Sequence, residues 1–507
     1  MKICSLIFKV FIKSTLIMIK YIPRSAALLA LASGALTAHA LAQDSGALLD
    51  ALVQEGVIKE SKAEAIRAKL AQDFSKTSAG KIKLDSSIKE LKIYGDARFR
   101  YQWDEIRSQL KNASTSDDKR SLQRERIRLR IGADAKLSDE FTAGFQLSTG
   151  QTSDSDNQTV GSAGEGGGFG KFPLYISKAY LGWEPIKGLG GVIGKQTNPF
   201  YTNEQGLVWD ADINPVGLSE KAELHKLYGW VGPWEVTLNA GQFTFADNNE
   251  GWKSQANGTD LATDAFLFQA QAVVGFKFDD SHKLTAAPGF LTYNSASAKN
   301  ATGSVLSGGS ATASTVNGSG FAAANGTRGL QLLLLPGDFT TKIAGIKTKL
   351  VWDFSYNLDG ETRAYDVYGL TRIGAIGSNG SNRRSATDDY AWLVGLVFGE
   401  NKKKGDFSLL ANYRATGLTA VDPNLNDSDF ANSRLNTRGF KLGVGYNLSN
   451  AVVLNLAYQN AFNLRSELDS SAITGSATVP WSKAGVAGSL ADRNNVQIFQ
   501  ADVTVKF

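Results

Sequence analysis

From Leu91 onward the chain alternates apolar and polar residues with a period of two. In residues 91–103 the odd positions are apolar or small: Leu91, Ile93, Gly95, Ala97, Phe99, Tyr101 and Trp103. The even positions are mostly polar: Lys92, Tyr94, Asp96, Arg98, Arg100 and Gln102. The same alternation returns at 126–137, 141–148 and 440–447. A period of two predicts β-strands that place one face in an apolar medium and the other in water.

The connections between these strands alternate in length, which distinguishes a membrane barrel from a soluble sandwich. Short connections fall at 138–140, 185–188, 231–233, 279–281, 343–346, 401–405 and 449–450. Long stretches rich in Gly, Ser, Asn and Asp fall at 105–121, 150–172, 198–218, 247–263, 296–327, 359–388, 418–434 and 464–492. Seven turns and eight loops join sixteen strands and leave both ends on the short-turn side. This is the plan of an outer-membrane barrel with periplasmic turns and external loops.

Two further features agree with a barrel. No segment after residue 42 reaches the ~18 apolar residues of a membrane helix, so a chain that enters a bilayer must do so with strands. Aromatic residues mark the strand ends in the manner of an interfacial girdle: Tyr101, Trp103, Trp183, Trp234, Trp352, Tyr356, Trp392, Tyr446 and Tyr458. The predicted fold class is all-β, a 16-stranded antiparallel transmembrane β-barrel over residues 88–507.

A short helical region precedes the barrel. Residues 47–54 predict a helix that Gly56 stops, and Ser61 with Glu64 forms a candidate capping box for a second helix through Phe74. About thirty residues cannot bury a core of their own, so the pair must pack on something else or on copies of itself. We predict a periplasmic helical pair and linker at 43–87.

The first 42 residues have the pattern of an export signal. Residues 25–42, SAALLALASGALTAHALA, follow Lys20 and Arg24, and the small-x-small pattern favours cleavage after Ala42. A start at Met18 instead of Met1 gives a signal of ordinary length, and both starts stay open. The alternative is a membrane anchor, which the shortness of the run disfavours. The sequence predicts a signal peptide at 1–42 and export to the outer membrane of a Gram-negative bacterium.

Charge and composition exclude several classes of function. The formal charge of +5 equals the five cations of residues 1–42, so the remaining chain is balanced and a nucleic-acid partner is not expected. The only cysteine is Cys4, and His225 and His282 are the only histidines after residue 42. His225 is expected in the lower half of a strand and His282 in a periplasmic turn, which disfavours shared catalysis. We predict no metal, no cofactor and no enzyme.

Several stretches make the chain resemble the putative porins of bacterial outer membranes, which are related in plan to the phosphate-selective porin type. They include YGDARFRYQWDE (94–105), RERIRLRIGADAKLSDEFTAGFQLSTG (124–150), KAYLGWEPIKGLGGVIGKQTNPF (178–200), VWDADINPVG (208–217), NKKKGDFSLLANYRA (401–415) and DSDFANSRLNTRGFKLGVGYNLS (427–449). The terminal strand and the N-terminal helical pair complete the resemblance. It implies a water-filled channel for passive diffusion of ions and small hydrophilic solutes, without identifying the solute.

An arginine ladder is the main candidate feature of the pore wall. If the apolar positions face lipid, then the alternate positions of two neighbouring strands place five guanidiniums in the lumen: Arg98, Arg100, Arg126, Arg128 and Arg130, with Arg124 near the external mouth. Arginine stays charged and binds carboxylate and phosphate groups in a fork geometry, so the ladder favours anions. The alternative is that Asp96, Asp134 and loop acids neutralise these arginines and stiffen the wall.

The third long loop contains a candidate constriction. Glu204, Asp210 and Asp212 lie between Pro199 and Pro215. By analogy with sixteen-stranded porins whose third loop folds inward, Asp210 and Asp212 are predicted to face the arginines across a constriction and to create a transverse field. The alternative is that Trp209, Asp210 and their neighbours only hold the loop against the inner wall.

Two broader hypotheses stay open from the sequence. The chain is predicted to be a homotrimer in outer-membrane lipid, with the N-terminal helices either bundled at the threefold axis or packed against their own barrel. The alternative function is a structural or adhesive barrel with an occluded lumen, for which the loop 296–327 is large enough to fold inward.

Overall fold

A computed structural model describes residues 49, 52–76, 84–107, 119–150, 155–161, 167–203, 205–246, 265–294, 329–366, 388–427, 429–431, 435–464 and 495–507. The chain divides into two compact units, residues 1–85 and 86–507. The predicted signal peptide lies outside the described residues.

The described part of the first unit is helical. Helix α1 spans Glu60–Lys76, and residues 49 and 52–54 are also helical. Gly56 ends the earlier helix at φ 72°, where the N–H of Val57 donates to Leu52 O at 2.9 Å. Helix α1 begins at Glu60, so Ser61 lies inside it and the predicted N-cap at Ser61 is wrong. No helix among the described residues is long and apolar enough to cross a membrane.

The second unit is a closed antiparallel barrel, as the period of two predicts. Sixteen strands are present within the described residues: β1 (Glu90–Arg107), β2 (Lys119–Lys136), β3 (Phe141–Ser148), β4 (Tyr175–Ile186), β5 (Leu189–Lys195), β6 (Val216–Glu223), β7 (Trp234–Ala246), β8 (Ala265–Lys277), β9 (Lys283–Ala286 and Gly289–Tyr293), β10 (Gln331–Leu334 and Gly337–Ile343), β11 (Ile346–Asn357), β12 (Tyr390–Gly399), β13 (Phe407–Thr416), β14 (Thr437–Asn447), β15 (Val452–Asn463) and β16 (Asn495–Lys506). Each strand pairs with the next, and β1 pairs with β16 to close the sheet.

Prolines interrupt two neighbouring strands. Pro288 divides β9 and Pro336 divides β10, because proline cannot donate to the sheet. The carbonyls of both prolines still accept hydrogen bonds, from Ala272 N–H and Ala287 N–H at 2.9 Å each. Both halves of β9 pair with β8, and both halves of β10 pair with β11, so each interrupted strand counts once. An additional two-residue strand, Gln158–Thr159, pairs with β2.

The outer surface is apolar, as expected for a wall that faces lipid. Phe99, Val444 and Leu456 are 47%, 48% and 47% exposed, on strands distributed around the barrel. Trp183 and Trp234 are exposed and lie near the strand ends that the short connections join, which agrees with an aromatic girdle. The eight long connections and seven short ones follow the predicted alternation.

One short connection differs from its prediction. The polypeptide between β6 and β7 is longer than the predicted turn 231–233 and contains helix α2, Leu224–Leu227. His225 therefore lies in this helix, and the expectation that it belongs to the lower half of a strand is wrong. His282 lies in the turn before β9, where its ring contacts Asp279 Oδ1 at 2.8 Å. Backbone and imidazole contacts, the hydrogen bond from Ser281 N–H first, hold the pKa of Asp279 below its usual value.

The interior is apolar on one side of the barrel, which the alternation did not indicate. Inward residues of β8 to β12 are buried leucines and a valine: Leu267, Leu291, Leu332, Val351 and Leu393. Residues of the third loop (196–215) and the seventh loop (417–436) complete this core: Phe200, Leu207, Val208, Trp209, Ile213, Leu418, Val421 and Leu425. Where these strands meet the inward-folded loops both of their faces are apolar, whereas Gln269, Gln271, Asp353 and Ser355 occupy other inward positions.

Candidate functional site

The predicted ladder arginines lie next to one another on the inner face of β1 and β2. Strand pairing places Arg98 opposite Arg128 and Arg100 opposite Arg126, with Asp96 opposite Arg130. Like charges directly opposite each other are unfavourable unless other groups compensate them. The surrounding acids therefore decide what this wall can do.

The charge of Arg100 is balanced by two carboxylates at the seam where β1 pairs with β16. Its side chain donates from Nε and Nη2 to the two Oδ atoms of Asp502 on β16, at 2.8 and 2.9 Å. Its Nη1 donates to Asp429 of the seventh loop at 3.0 and 3.1 Å. Arg100 is 4% exposed, so these contacts tie β1, β16 and the seventh loop together.

Arg128 and Arg130 share Asp96. Arg128 donates to Asp96 Oδ2 at 2.8 Å, and Arg130 donates to Asp96 Oδ1 at 2.6 Å. Arg130 also lies 3.4 Å from Asp156 of the second long loop. The predicted partner Asp134 instead accepts a hydrogen bond from Tyr180 at 2.8 Å. Three of the five ladder arginines thus form ion pairs with carboxylates.

Arg98 and Arg126 differ from the other three. Among the described residues, Arg98 donates only to the amide oxygen of Asn157, and Arg126 donates to Gln102 and Ser155 at 3.4 Å each. No carboxylate among the described residues forms an ion pair with either one, and both are only partly buried. Within the part of the chain that the structure describes, the Nε atoms of Arg98 and Arg126 also have no hydrogen-bond partner. Among the five ladder arginines, these two are the ones without an ion pair to a described carboxylate.

The third loop brings one of its predicted acids to the ladder. Asp212 Oδ1 lies 3.6 Å from Nη1 of Arg128 and 3.8 Å from Nη1 of Arg130, in direct contact. Asp210 is buried and accepts from the N–H of Asp212 at 2.9 Å, so it shapes the loop. Glu204 lies outside the described residues.

The third loop crosses the interior of the barrel. Its Tyr201 N–H donates to Gln271 on β8 at 2.7 Å, and Trp209 Nε1–H donates to Gln269 at 2.9 Å. Farther around the barrel, Asn412 and Arg414 of β13 donate to Gln205 at 3.0 and 2.7 Å. The loop is therefore held by strands that lie five positions apart around the wall.

The third and seventh loops are joined to each other. Asp210 N–H donates to Leu425 O at 2.6 Å, and Asp427 N–H donates to Gly206 O at 3.1 Å. Gly206 has φ +67°, and a Cβ there would lie 2.7 Å from the Cβ of Asp427. Glycine is required at this crossing both for the backbone conformation and for the close approach.

Asp429 stays ionised where the seventh loop meets the ladder. Burial alone would raise its pKa, but the guanidinium of Arg100 and the ammonium of Lys441 hold the pKa well below its usual value. Asp156 behaves in the opposite way, because burial and the nearby carboxylate of Asp212 raise its pKa. The Arg100–Asp429 contact thus persists in mildly acidic medium.

Beside the loops, a cavity of about 400 Å³ follows the inner wall of β3 to β7. Tyr180, Gln196, Ser219, Lys221 and Asn239 belong to its lining. The residues are polar and of mixed charge, as expected of a passage for hydrated solutes. Within the described residues there is no group of His, Cys, Asp and Glu side chains that could hold a metal ion.

Sequence reasoning missed the acids that complete the ladder. Asp502 occupies a polar position of the alternating terminal strand, so the pattern indicates its inward direction but not its partner. Asp156 and Asp429 lie in loops, where no periodicity indicates a direction. Their pairing depends on how the loops fold into the barrel.

Comparison with solved structures gives bacterial porins at low identity. Salmonella typhi OmpF, in complex with daunomycin, is 10% identical with a TM-score of 0.40, covering 84% of this chain and 100% of that one. Pseudomonas putida OprB, in a high-pH structure, is 9% identical with a TM-score of 0.44, covering 82% and 94%. A triple mutant of Rhodopseudomonas blastica porin is 9% identical with a TM-score of 0.37, covering 82% and 100%. The comparison with curated proteins gives no significant match.

A family profile provides the assignment. The profile of the family described as "Putative porin" matches residues 83–337, which include β1 to β9 and the first segment of β10. The match covers half of the chain and agrees with the closed antiparallel barrel. Family and fold together support a porin channel in the outer membrane. The chain therefore belongs to the putative porin family.

Proposed function

We propose that this porin provides a passive route for small hydrophilic solutes and prefers anions. The observation that supports the preference is that Arg98 and Arg126 form no ion pair with a described carboxylate, whereas the other three ladder arginines do. The preference is modest, because Arg100, Arg128 and Arg130 are neutralised locally. The third loop narrows the route, and Asp212 acts there as the counter-charge of Arg128 and Arg130.

Replacing Arg98 and Arg126 together by glutamine is expected to abolish the anion preference. Glutamine keeps hydrogen-bonding capacity but removes both charges, so the potential along the passage becomes less positive. The measurement is the reversal potential across a salt gradient in planar bilayers. The matched control is Arg438→Gln, which removes an exposed arginine from β14. A cation-selective wild-type channel, or an unchanged reversal potential in the double variant, would contradict the proposed role of the pair.

A second candidate function is a structural barrel with an occluded lumen. The apolar core between β8–β12 and the two inward loops favours it, because these residues exclude water from that side of the interior. The loop 296–327, the original candidate for occlusion, lies outside the described residues. Bilayer recording separates the two functions: stepwise conductance supports the channel, and a folded barrel without conductance supports the occluded form.

We also propose that the chain is exported by its signal peptide, assembles as a homotrimer and places its N-terminal helices in the periplasm. If the helices form a bundle between subunits, deleting residues 44–80 should lower the temperature at which the oligomer dissociates on native gels. An unchanged dissociation temperature would contradict the bundle and would mean that the helices pack elsewhere. The prediction that the protein is not an enzyme stays a prediction.

A further inference from the structure

The outer wall of β5 to β9 differs from the rest of the barrel surface. On β6, Glu220 points outward, pairs with Gly191 on β5 and with Ala240 on β7, and is exposed. It has no side-chain partner among the described residues. Gln242, also exposed, lies on the next outward position of β7. Elsewhere the outward positions carry large apolar side chains such as Phe99, Leu409 and Val444.

Glu220 lies at the depth of the hydrocarbon. Along β7, Ala240 is six residues above Trp234 of the periplasmic girdle. With a rise of ~3.3 Å per residue and a tilt of ~40°, this is a height of ~15 Å in an apolar band of ~25 Å. Lipid chains offer no hydrogen-bond donors to a carboxylate or an amide at that depth. The surface of a neighbouring protein can offer such donors.

Two strands of this sector are also short for a wall that faces lipid. β5 and β6 have seven and eight residues. A membrane-spanning strand needs ~9–11 residues, so lipid around this sector would meet the backbone of the third loop. The shortness is independent of the Glu220 observation and points to the same conclusion.

The shape of the wall fits a protein neighbour. Small outward residues, Ala222, Ala240, Ala270 and Ala272, form the floor of a groove of about 690 Å³, with Leu189, Phe290 and Leu333 at its edges. A second depression of about 280 Å³ adjoins it and contains Glu220 and Gln242. Small residues allow close approach of another surface, as at interfaces between membrane segments.

We infer that the outer wall of β5 to β9 is the surface by which copies of this chain associate in the membrane. Glu220 accepts and Gln242 donates, so the same patch offers both halves of a hydrogen bond to a second copy placed about a symmetry axis. Three strands with a height of ~25 Å and two with a height of ~19 Å, all ~4.8 Å apart, give ~540 Å² per subunit. The resulting total of ~1,100 Å² exceeds the ~1,000 Å² expected of a biological interface. The inference rests on the outer-membrane location and the homotrimer proposed above, and not on solute or selectivity.

Site-specific photocrosslinking in intact outer membranes tests this surface. A benzophenone amino acid placed at Ala240 should give adducts between subunits. The matched control is Leu456 on β15, on the opposite side of the sixteen-stranded barrel and 47% exposed, where adducts should form only with lipid. Lipid adducts alone at Ala240, or subunit adducts at Leu456 instead, would overturn the inference.

A second variant separates loss of the interface from loss of the channel. Ala240→Trp fills the groove and should convert the oligomer to monomers on native gels, with the conductance of each barrel unchanged. Ala411→Trp, at an exposed outward position of β13, should leave the oligomer intact. An oligomer that survives Ala240→Trp would contradict the inference even if the channel conducts as proposed. A non-conducting wild-type barrel with subunit adducts at Ala240 would contradict only the proposed function.

Discussion

Removing residues 201–213 of the third loop and joining the ends by a short Gly-Ser linker is expected to raise single-channel conductance several-fold. The described part of this segment spans the lumen from β8 to β13 and contributes Trp209 and Ile213 to the apolar core. Its removal opens a passage on the side that the two loops now fill, while all sixteen strands keep their pairing. Conductance in planar bilayers at fixed salt measures the effect.

A single substitution tests the same prediction with less change to the structure of the loop. Trp209→Ala removes the hydrogen bond to Gln269 and a large buried ring, and should increase the conductance noise and mean current. The matched control, Trp183→Ala, deletes a tryptophan from the outer surface and should leave the current unchanged. If the loop deletion conducts no better than the wild type, the third loop does not limit the passage.

Replacing Arg100 by methionine is expected to destabilise the barrel by about 3–5 kcal/mol, the cost of breaking a buried ion pair from one side. Arg100 bonds both oxygens of Asp502 where β1 meets β16, and it also holds Asp429. Without it, two carboxylates lose their main cation at the seam that closes the sheet. The measurement is the free energy of unfolding in detergent micelles, followed by the gel shift between folded and unfolded barrel.

Two further variants define the origin of that loss. Lys92→Gln, at an exposed position on the same strand, should change the free energy of unfolding little. The double variant Arg100→Met with Asp502→Asn should be less destabilised than the sum of the single changes, because one orphaned charge is removed with its partner. Additive losses would mean that the Arg100–Asp502 pair contributes no coupling at the seam.

The expected results separate two roles within one row of arginines. Arg100 joins the strands that close the barrel, Arg128 and Arg130 bind Asp96 and contact the third loop, and Arg98 and Arg126 form no ion pair with a described carboxylate. We propose that the two interpretations of the ladder in the sequence, selectivity and stiffening of the wall, apply to different residues. The reversal-potential measurement on Arg98 and Arg126 tests the first, and the unfolding measurement on Arg100 tests the second.

The sequence by itself determined the barrel and its strand count. Alternation along 91–103 and 126–137, together with short and long connections in turn, defines sixteen strands because side chains of a strand must point to opposite faces. The inward direction of the ladder arginines follows from the same rule. The prolines that interrupt β9 and β10 do not change the even number of strands.

Only the tertiary structure decided what fills the interior. Leu332 and Leu393 lie inward against Leu425 of a loop distant in sequence, and Arg100 meets Asp429 across 329 positions of the chain. The periodicity of a strand predicts the face to which a side chain points, but not the group that it contacts. Loops have no periodicity, so the sequence does not predict where their side chains point. Paired arginines and joined loops arise from long-range packing, which local residue patterns do not encode.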